Sequence, residues 1–197
     1  MASLTHQHVM ANTLQLETPG LILRAWQEHD RAPFATMNAD PVVMRFFAAP
    51  LTRAESDQAI DRYNTQLTRD GFTMFAAERR DTRSLAGVIG IQTMPFAIPN
   101  VPQPAVEIGW RLALHATGQG LATEAASALV DFAFRQHHLP SLVAITIPIN
   151  TPSRRVMEKL GMAYRPELSF DHPRVPDGHP YRRHILYQLN NPHRDEA

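Results

Sequence analysis

The segment between residues 105 and 136 limits the possible folds of this chain more than any other part of it. Its first ten residues form an apolar run of the kind found in strands, and from Leu121 onward apolar residues recur on one face of a helix. Gly118 and Gly120 lie between the two patterns. Residues 142–147 then add a short buried strand. The segment therefore predicts a strand, a glycine turn, a helix and a second strand in succession.

The glycine turn has two interpretations. Glycines let a backbone approach a ligand closely, and the free amides at a helix start favour an anion, so the turn could cradle a phosphate. Taken alone, a G-x-G favours the simpler interpretation, a tight turn without a ligand. A Walker A loop is excluded because no lysine with Ser or Thr follows a second glycine, and Thr123 stands where the third glycine of a dinucleotide fingerprint would be. A nucleotide-binding regulator is therefore a minor alternative.

The rest of the chain predicts a mixture of strands and helices. Strands are predicted at residues 21–26, 72–78, 85–93, 105–114, 142–147, 162–168 and 182–189, and helices at residues 31–38, from 53 to about 69, at 121–136 and at 152–160. The order of these elements predicts an α+β fold with a mixed sheet and helices on both faces.

Local signals fix several boundaries. Thr52 and Glu55 have the spacing of a capping box at a helix start, and Thr151 before a proline predicts the N-cap of the last helix, which Gly161 ends. Four prolines between Pro95 and Pro104 exclude a helix and remove ladder donors, so this stretch is predicted to be a loop.

Length and composition limit the domain organisation and the classes of function that this chain could have. The 197 residues suit one domain, which we assign to residues 16–190, with a loose arm at 1–15 and a tail at 191–197. Lysine plus arginine equals aspartate plus glutamate, so no electrostatic footprint for nucleic acid or a membrane surface is present. The absence of cysteine excludes disulfides and a cysteine nucleophile. No membrane-spanning run or signal peptide is recognised, and a cytoplasmic protein is expected.

Several motifs that follow one another along the chain are more specific than the glycine turn alone. They are EIGWRL at residues 107–112, TGQGLATEA at 117–125, NTPS at 150–153, VMEKLGM at 156–162, and the opening LILRAW and closing HPYRRHILYQL. Together they resemble the GNAT superfamily, and most closely its branch of ribosomal-protein N-terminal acetyltransferases. The resemblance extends from about Leu16 to Leu189.

The resemblance implies a GNAT fold, in which a twisted, mostly antiparallel sheet has central strands that splay apart to admit the pantetheine arm of acetyl-CoA. Acetyl-CoA would be the acyl donor, a primary amine on a protein N-terminus or a small molecule would be the acceptor, and no metal would be needed. A homodimer is compatible with it. The implied cofactor-binding residues are Leu112, Ala113 and Leu114 on the strand, Thr117, Gly118, Gln119, Gly120, Leu121 and Ala122 in the pyrophosphate loop, and Asn150 near the thioester.

Two positions depart from the family pattern. Thr117 replaces the usual Arg or Gln that opens the pyrophosphate loop, which removes one contact to phosphate. Met157 occupies the position where many members have a tyrosine that protonates the departing thiolate. A catalytically silent module that binds CoA or a partner is therefore the alternative to an enzyme.

Direct transfer needs a group that removes a proton from the amine and a group that returns one to the thiolate. We favour Glu107 as the base, since it is an acid in an otherwise apolar strand, although a solvated carboxylate at a strand edge would look the same. Glu167 and Asp171 are competing bases. For the acid we favour Ser153 beside Asn150, while a hydroxyl that merely caps helix amides is the simpler interpretation.

The ten histidines do not predict a metal site. His137 and His138 stand at a predicted helix end, and the later histidines lack the i, i+4 spacing of ligands on one helix face. His172 or His179 could contact substrate from a loop. The acceptor is expected to be chosen by two loops, Met94 to Pro104 and Ser169 to Pro180.

Overall fold

The computed structural model describes residues 14–192. The strands are β1 (Leu16–Glu17), β2 (Leu21–Arg24), β3 (Met74–Arg79), β4 (Leu85–Thr93), β5 (Val106–Leu112), β6 (Ser141–Thr146), β7 (Ala163–Tyr164), β8 (Phe170–Asp171) and β9 (Arg183–Asn190). The α-helices are α1 (Arg31–Ala39), α2 (Arg53–Asp70), α3 (Leu121–Asp131) and α4 (Thr151–Lys159), and α3 continues into a π-helical turn at Phe132–Gln136.

The strands form one twisted sheet in the order β1-β2-β3-β4-β5-β6-β9-β7, with β8 attached to β9. Every pairing is antiparallel except that of β5 with β6. These two parallel strands pair only at Glu107 and Val143, although β5 continues to Leu112 and β6 to Thr146. The sheet therefore opens at its centre, which confirms the predicted mixed sheet with splayed strands.

Helices cover both faces of the sheet. On one face α3 buries Ala125 and Leu129 in a cluster with Ile108 of β5. On the other face Phe34 of α1 and Ile60 of α2 pack in a second cluster. Each of the larger side chains, the leucine, isoleucines and phenylalanine, stabilises the fold by about 1.5–3 kcal/mol relative to an exposed one. The two layers hold the strands around the central opening.

The predicted helix signals are confirmed with one change. The Thr52 hydroxyl accepts a hydrogen bond from the Glu55 amide at 3.2 Å, and the Glu55 carboxylate accepts one from the Thr52 amide at 2.7 Å. At α4 the prediction of Thr151 as N-cap is wrong, because Asn150 fills that position and its side-chain oxygen accepts a hydrogen bond from the Ser153 amide.

Several predicted strands are shorter in the structure. β2 ends at Arg24, whose buried guanidinium lies 2.7 Å from both Asp30 and Glu78. β7 contains two residues instead of seven, because Pro166 has no amide to donate and starts a 3₁₀ turn.

The predicted arm and tail lie mostly outside the described residues. Within residues 14–192, no helix combines the length and apolar character needed to cross a bilayer.

Candidate active site

A cleft of about 890 Å³ opens where β5 and β6 diverge. Its walls come from the end of β5, the glycine turn, the start of α4, the segment between α1 and α2, and the loop after β8. The cleft is lined by Glu107, Gly120, Asn150 and Ser153. The fold thus brings together in one cavity residues that the sequence singled out in three separate segments.

The backbone of β5 has hydrogen-bonding groups to offer inside the cleft. The amide of Ala113 donates to the carbonyl of Ala86 at 2.8 Å, and Met94 donates to Ala105 at 2.8 Å, so the odd-numbered residues of this strand bond to β4. Because hydrogen-bonding directions alternate along a strand, Trp110 and Leu112 direct their backbone groups toward β6, past the point where the pairing stops. Those groups are available to a ligand.

The three predicted pantetheine residues therefore differ in their surroundings. Leu112 and Leu114 line the cleft, whereas Ala113 does not and its amide is already bonded to β4. β5 ends at Leu112, and Leu114 lies in the 3₁₀ turn that follows. Leu112 is the member of the three best suited to present strand backbone to a ligand.

The glycine turn has the geometry of an anion cradle. Gly118 and Gly120 have φ values of 75° and 81°, which glycine adopts at little cost. Gly120 is the N-cap of α3, and a Cβ placed on either glycine would meet nothing within 4 Å, so the space before the turn is open. The first amides of α3, which include those of Leu121 and Ala122, have no acceptor within the helix. A phosphate group would find donors and the positive end of the helix dipole there.

The side chains of the glycine turn offer fewer free hydrogen-bonding groups to a ligand than its backbone does. The Thr117 hydroxyl donates to the Leu114 carbonyl at 2.8 Å. The Gln119 side chain donates to the His115 carbonyl and accepts a hydrogen bond from Arg79, each at 2.7 Å, and it does not line the cleft. Only the backbone of Gln119 remains for a ligand.

Two cations that the sequence analysis did not single out also face this part of the cleft. Arg155 and Lys159 are four residues apart on α4, both are exposed, and both line the cavity. Neither forms an ion pair with any residue in the described part of the chain. Their i, i+4 spacing was visible in the sequence, but exposed helix charges are usually solvated, so the spacing alone gave no signal.

Glu107 is half-buried in the interior of the sheet and not at its edge. Its Oε2 accepts a hydrogen bond from Gln92 Nε2 at 2.8 Å. Burial raises the pKa of Glu107 to about 7, and the hydrogen bond from Gln92 opposes this only in part. The carboxyl group can therefore take up and release a proton near neutral pH.

The competing carboxylates lie elsewhere. Glu167 is exposed and forms an ion pair with Arg165 at 2.6 Å, and the hydrogen bond from Arg165 lowers the pKa of Glu167. Asp171 is exposed and lies 3.4 Å from Arg183. Neither residue lines the cleft.

The polar residues at the start of α4, Asn150 and Ser153, differ in their hydrogen bonds. Asn150 Oδ1 accepts from the Ser153 amide at 3.3 Å, while Asn150 Nδ2 donates to Thr146 Oγ1 at 2.9 Å. Asn150 therefore satisfies the helix start, and the Ser153 hydroxyl has no hydrogen-bond partner among residues 14–192. Met157 is buried in the core beneath the cleft.

Two histidines lie at the wall of the cleft. The rings of His172 and His184 are 4.7 Å apart, and burial lowers the pKa of His172 to about 4, with nearby His184 and Arg174 adding to the effect. Both histidine pKa values are lowered, so neutral imidazoles face the cavity at pH 7. His179 accepts a hydrogen bond from the Tyr181 amide at 3.1 Å. No group of three or more potential metal ligands occurs among the described residues.

Comparison with known proteins identifies the family of this chain. The sequence profile of the acetyltransferase (GNAT) domain matches residues 20–163. The uncharacterized protein YkkB of Bacillus subtilis (strain 168) is 30% identical over 151 residues, which cover 76% of this chain and 86% of that protein.

Solved structures agree with the sequence matches. The acetyltransferase from Agrobacterium tumefaciens str. C58 aligns with a TM-score of 0.74 and 25% identity, over 94% of this chain and 99% of that one. RimL, a ribosomal L7/L12 alpha-N-protein acetyltransferase in complex with coenzyme A, aligns with a TM-score of 0.70 and 18% identity, over 88% of this chain and 95% of that one. The chain belongs to the GNAT family and is an acyltransferase that uses acetyl-CoA as its acyl donor.

Proposed function

We propose that this enzyme transfers the acetyl group of acetyl-CoA directly to a primary amine, on a protein N-terminus or a small molecule, with Glu107 as the general base. The observation that carries the proposal is a carboxyl group with a pKa of about 7 inside the cleft that the splayed strands open. A base with a pKa near the working pH combines a useful deprotonated fraction with sufficient proton affinity.

The donor would lie along the cleft with its pyrophosphate at the glycine turn. The amides of the turn and of the first residues of α3 would bind it, and Arg155 and Lys159 would supply the charge that Thr117 does not. The pantetheine arm would then pass between β5 and β6, where the backbone of Trp110 and Leu112 is unpaired. An amide of this strand would polarise the thioester carbonyl.

The chemical step would be a direct substitution. The amine nitrogen loses a proton toward Glu107 and forms a bond to the carbonyl carbon, and the carbon–sulfur bond of the tetrahedral intermediate then breaks. The thiolate takes a proton through a donor such as the Ser153 hydroxyl, which lines the cleft and is free within the described residues. Solvent returns a proton to that hydroxyl and accepts the one held by Glu107, so the proton lost by the amine balances the proton gained by the thiol. The chain has no cysteine to carry the acetyl group as a thioester, which agrees with a single transfer.

The test is the release of free thiol from acetyl-CoA with a panel of small amines and N-terminal peptides. The proposal expects acceptor-dependent thiol release above the rate without acceptor. A protein that binds acetyl-CoA but releases no thiol with any acceptor would instead be the silent CoA-binding module, as the departures at Thr117 and Met157 allow.

Thr117→Arg is expected to tighten acetyl-CoA binding. The guanidinium would add a charge-assisted contact to the pyrophosphate, worth on the order of 1 kcal/mol, or about fivefold in Kd. Isothermal titration calorimetry of the variant and the parent measures the change. Unchanged or weaker binding would show that the Thr117 hydroxyl has a role of its own in the turn, where it bonds the Leu114 carbonyl.

Ser153→Ala is expected to lower turnover while leaving the affinity for acetyl-CoA nearly unchanged. A proton donor acts on the thiolate as it leaves, so its loss should reduce kcat by about tenfold or more. Because the Ser153 amide, and not its hydroxyl, bonds Asn150, the alanine variant keeps the helix cap. Steady-state kinetics with calorimetry checks this, and an unchanged kcat would mean that water or another group protonates the thiolate.

A further inference from the structure

Arg111 of β5 has no counter-ion in the described part of the chain. Its guanidinium carbon lies 5.0 Å from the ring centroid of Phe47 and 5.8 Å from that of Phe34. Its Nη1 contacts the sulfur of Met44 at 3.6 Å, and its Nε is buried without a hydrogen-bond partner. The side chain lines the cleft. A cation is thus held among aromatic and apolar groups, open to the cavity.

The burial of this cation is costly as it stands. Burial lowers the pKa of Arg111, with only the nearby Tyr63 opposing the effect. A guanidinium remains charged in proteins and carries five donors in a planar fork, so burying it unpaired is unfavourable.

The buried Arg24 has very different surroundings from the half-buried Arg111. Arg24 lies 2.7 Å from Asp30 and 2.7 Å from Glu78, so its charge is neutralised within the fold. The contrast indicates that Arg111 is kept for a partner that is not part of the described chain.

The position of Arg111 indicates whether its partner belongs to the acetyl donor or to the amine acceptor. Side chains alternate along a strand, so Glu107, Gly109 and Arg111 share one face of β5, and the Cα atoms of Glu107 and Arg111 are about 13 Å apart. The alternate residues Trp110 and Leu112 pack against the cluster that contains α3. Arg111 therefore lies on the face opposite α3, which begins at the glycine turn, and on the same face as the proposed base.

We propose that Arg111 binds a carboxylate of the acceptor, so that the preferred acceptor is an amine that also carries an acid group. The inference rests on the proposed function and specifies its substrate class. A planar carboxylate fits the guanidinium fork through two parallel hydrogen bonds. The carboxylate could belong to a free amino acid or to an acidic side chain near a peptide N-terminus.

The experiment compares acceptors with and without this charge, and each kcat/KM is expressed per concentration of neutral amine, because the carboxylate of leucine also raises the pKa of its own amine. One arm uses leucine and leucinamide, and the other uses the amidated peptides Ser-Glu-Ala-Ala-Ala and Ser-Gln-Ala-Ala-Ala. In the arm that matches the true source, the parent enzyme is expected to prefer the carboxylate in kcat/KM by about ten- to a hundredfold, the usual scale of a charge-assisted pair. In Arg111→Met the ratio is expected to fall close to one.

Three results would overturn the inference. One is a parent enzyme that acetylates amines without preferring a carboxylate in either arm. The second is a preference that survives in Arg111→Met with acetyl-CoA affinity unchanged. The third is a surviving preference together with a loss of acetyl-CoA affinity, which would assign the guanidinium to a phosphate of the donor. A parent that acetylates no amine at all would instead contradict the proposed function.

Thermal unfolding without ligand gives a test that does not depend on turnover. Because methionine keeps the packing and removes an unpaired charge, Arg111→Met is expected to raise Tm by about 2–4 °C. The matched control Arg24→Met should lower Tm, since it leaves Asp30 and Glu78 buried without their cation. A decrease in Tm for Arg111→Met as large as that for Arg24→Met would make Arg111 a structural residue and overturn the inference.

Discussion

Glu107→Gln is expected to lower kcat/KM at pH 7 by about two orders of magnitude, the usual scale for the loss of a general base. Glutamine keeps the shape of the side chain beside Gln92 but has no proton affinity. In the parent, kcat/KM should rise as the pH increases through about 7, because Glu107 must be deprotonated to act and burial holds its pKa there. The variant should lose this step and recover partly at high pH, where the amine deprotonates unaided.

The controls for this prediction are the two exposed carboxylates. Glu167→Gln and Asp171→Asn should keep the parent pH profile, since both residues lie outside the cleft. High activity in Glu107→Gln with a loss in Glu167→Gln would instead assign the base to the last hairpin, which contains Glu167. Full activity in all three variants would mean that water or the ionisation of the amine itself is sufficient.

Gly120→Val is expected to weaken acetyl-CoA binding by at least about tenfold, because a β-branched residue at a φ of 81° costs on the order of 1–3 kcal/mol and displaces the amides of the cradle. No neighbouring atom within 4 Å would obstruct the new Cβ in the free protein, so the fold should tolerate the change. Calorimetry with acetyl-CoA measures the loss.

A second glycine provides the control for this strain. Gly161 has a φ of 75° at the end of α4, has equally open surroundings and does not line the cleft. Gly161→Val should therefore lower Tm without a comparable loss of acetyl-CoA affinity. If Gly120→Val bound acetyl-CoA as tightly as the parent, the pyrophosphate would have to lie elsewhere.

The sequence predicted the parts of the fold that depend on local chemistry. The capping box at Thr52 and Glu55, the glycine turn and the stop at Gly161 are confirmed because each is set by neighbouring residues. The strand predicted at 162–168 was wrong in length because Pro166, which lies inside the predicted strand, has no amide to donate and starts a 3₁₀ turn. The N-cap of α4 was misplaced by one residue, since Asn150 and Thr151 both suit that position.

The candidate site was predictable to a similar extent. Glu107 and Ser153 were visible as polar residues in informative positions, and the family resemblance added Asn150. The contact of Gln92 with Glu107 depends on the register of β4 against β5, and the isolation of Arg111 depends on what the segment around Met44 places beside it. Such facts arise from residues distant in sequence, so no local pattern contains them.

The most direct test of the account is to follow the acetyl group itself. The enzyme would be incubated at pH 7 with acetyl-CoA labelled with ¹³C in the acetyl group and with the best acceptor from the thiol-release panel, and the products would be identified by mass spectrometry. The account predicts one labelled acetyl group on the amine nitrogen for each thiol released, and a label transfer about a hundredfold slower with Glu107→Gln. Thiol release without a labelled amine, or equal transfer by the parent and Glu107→Gln, would contradict it.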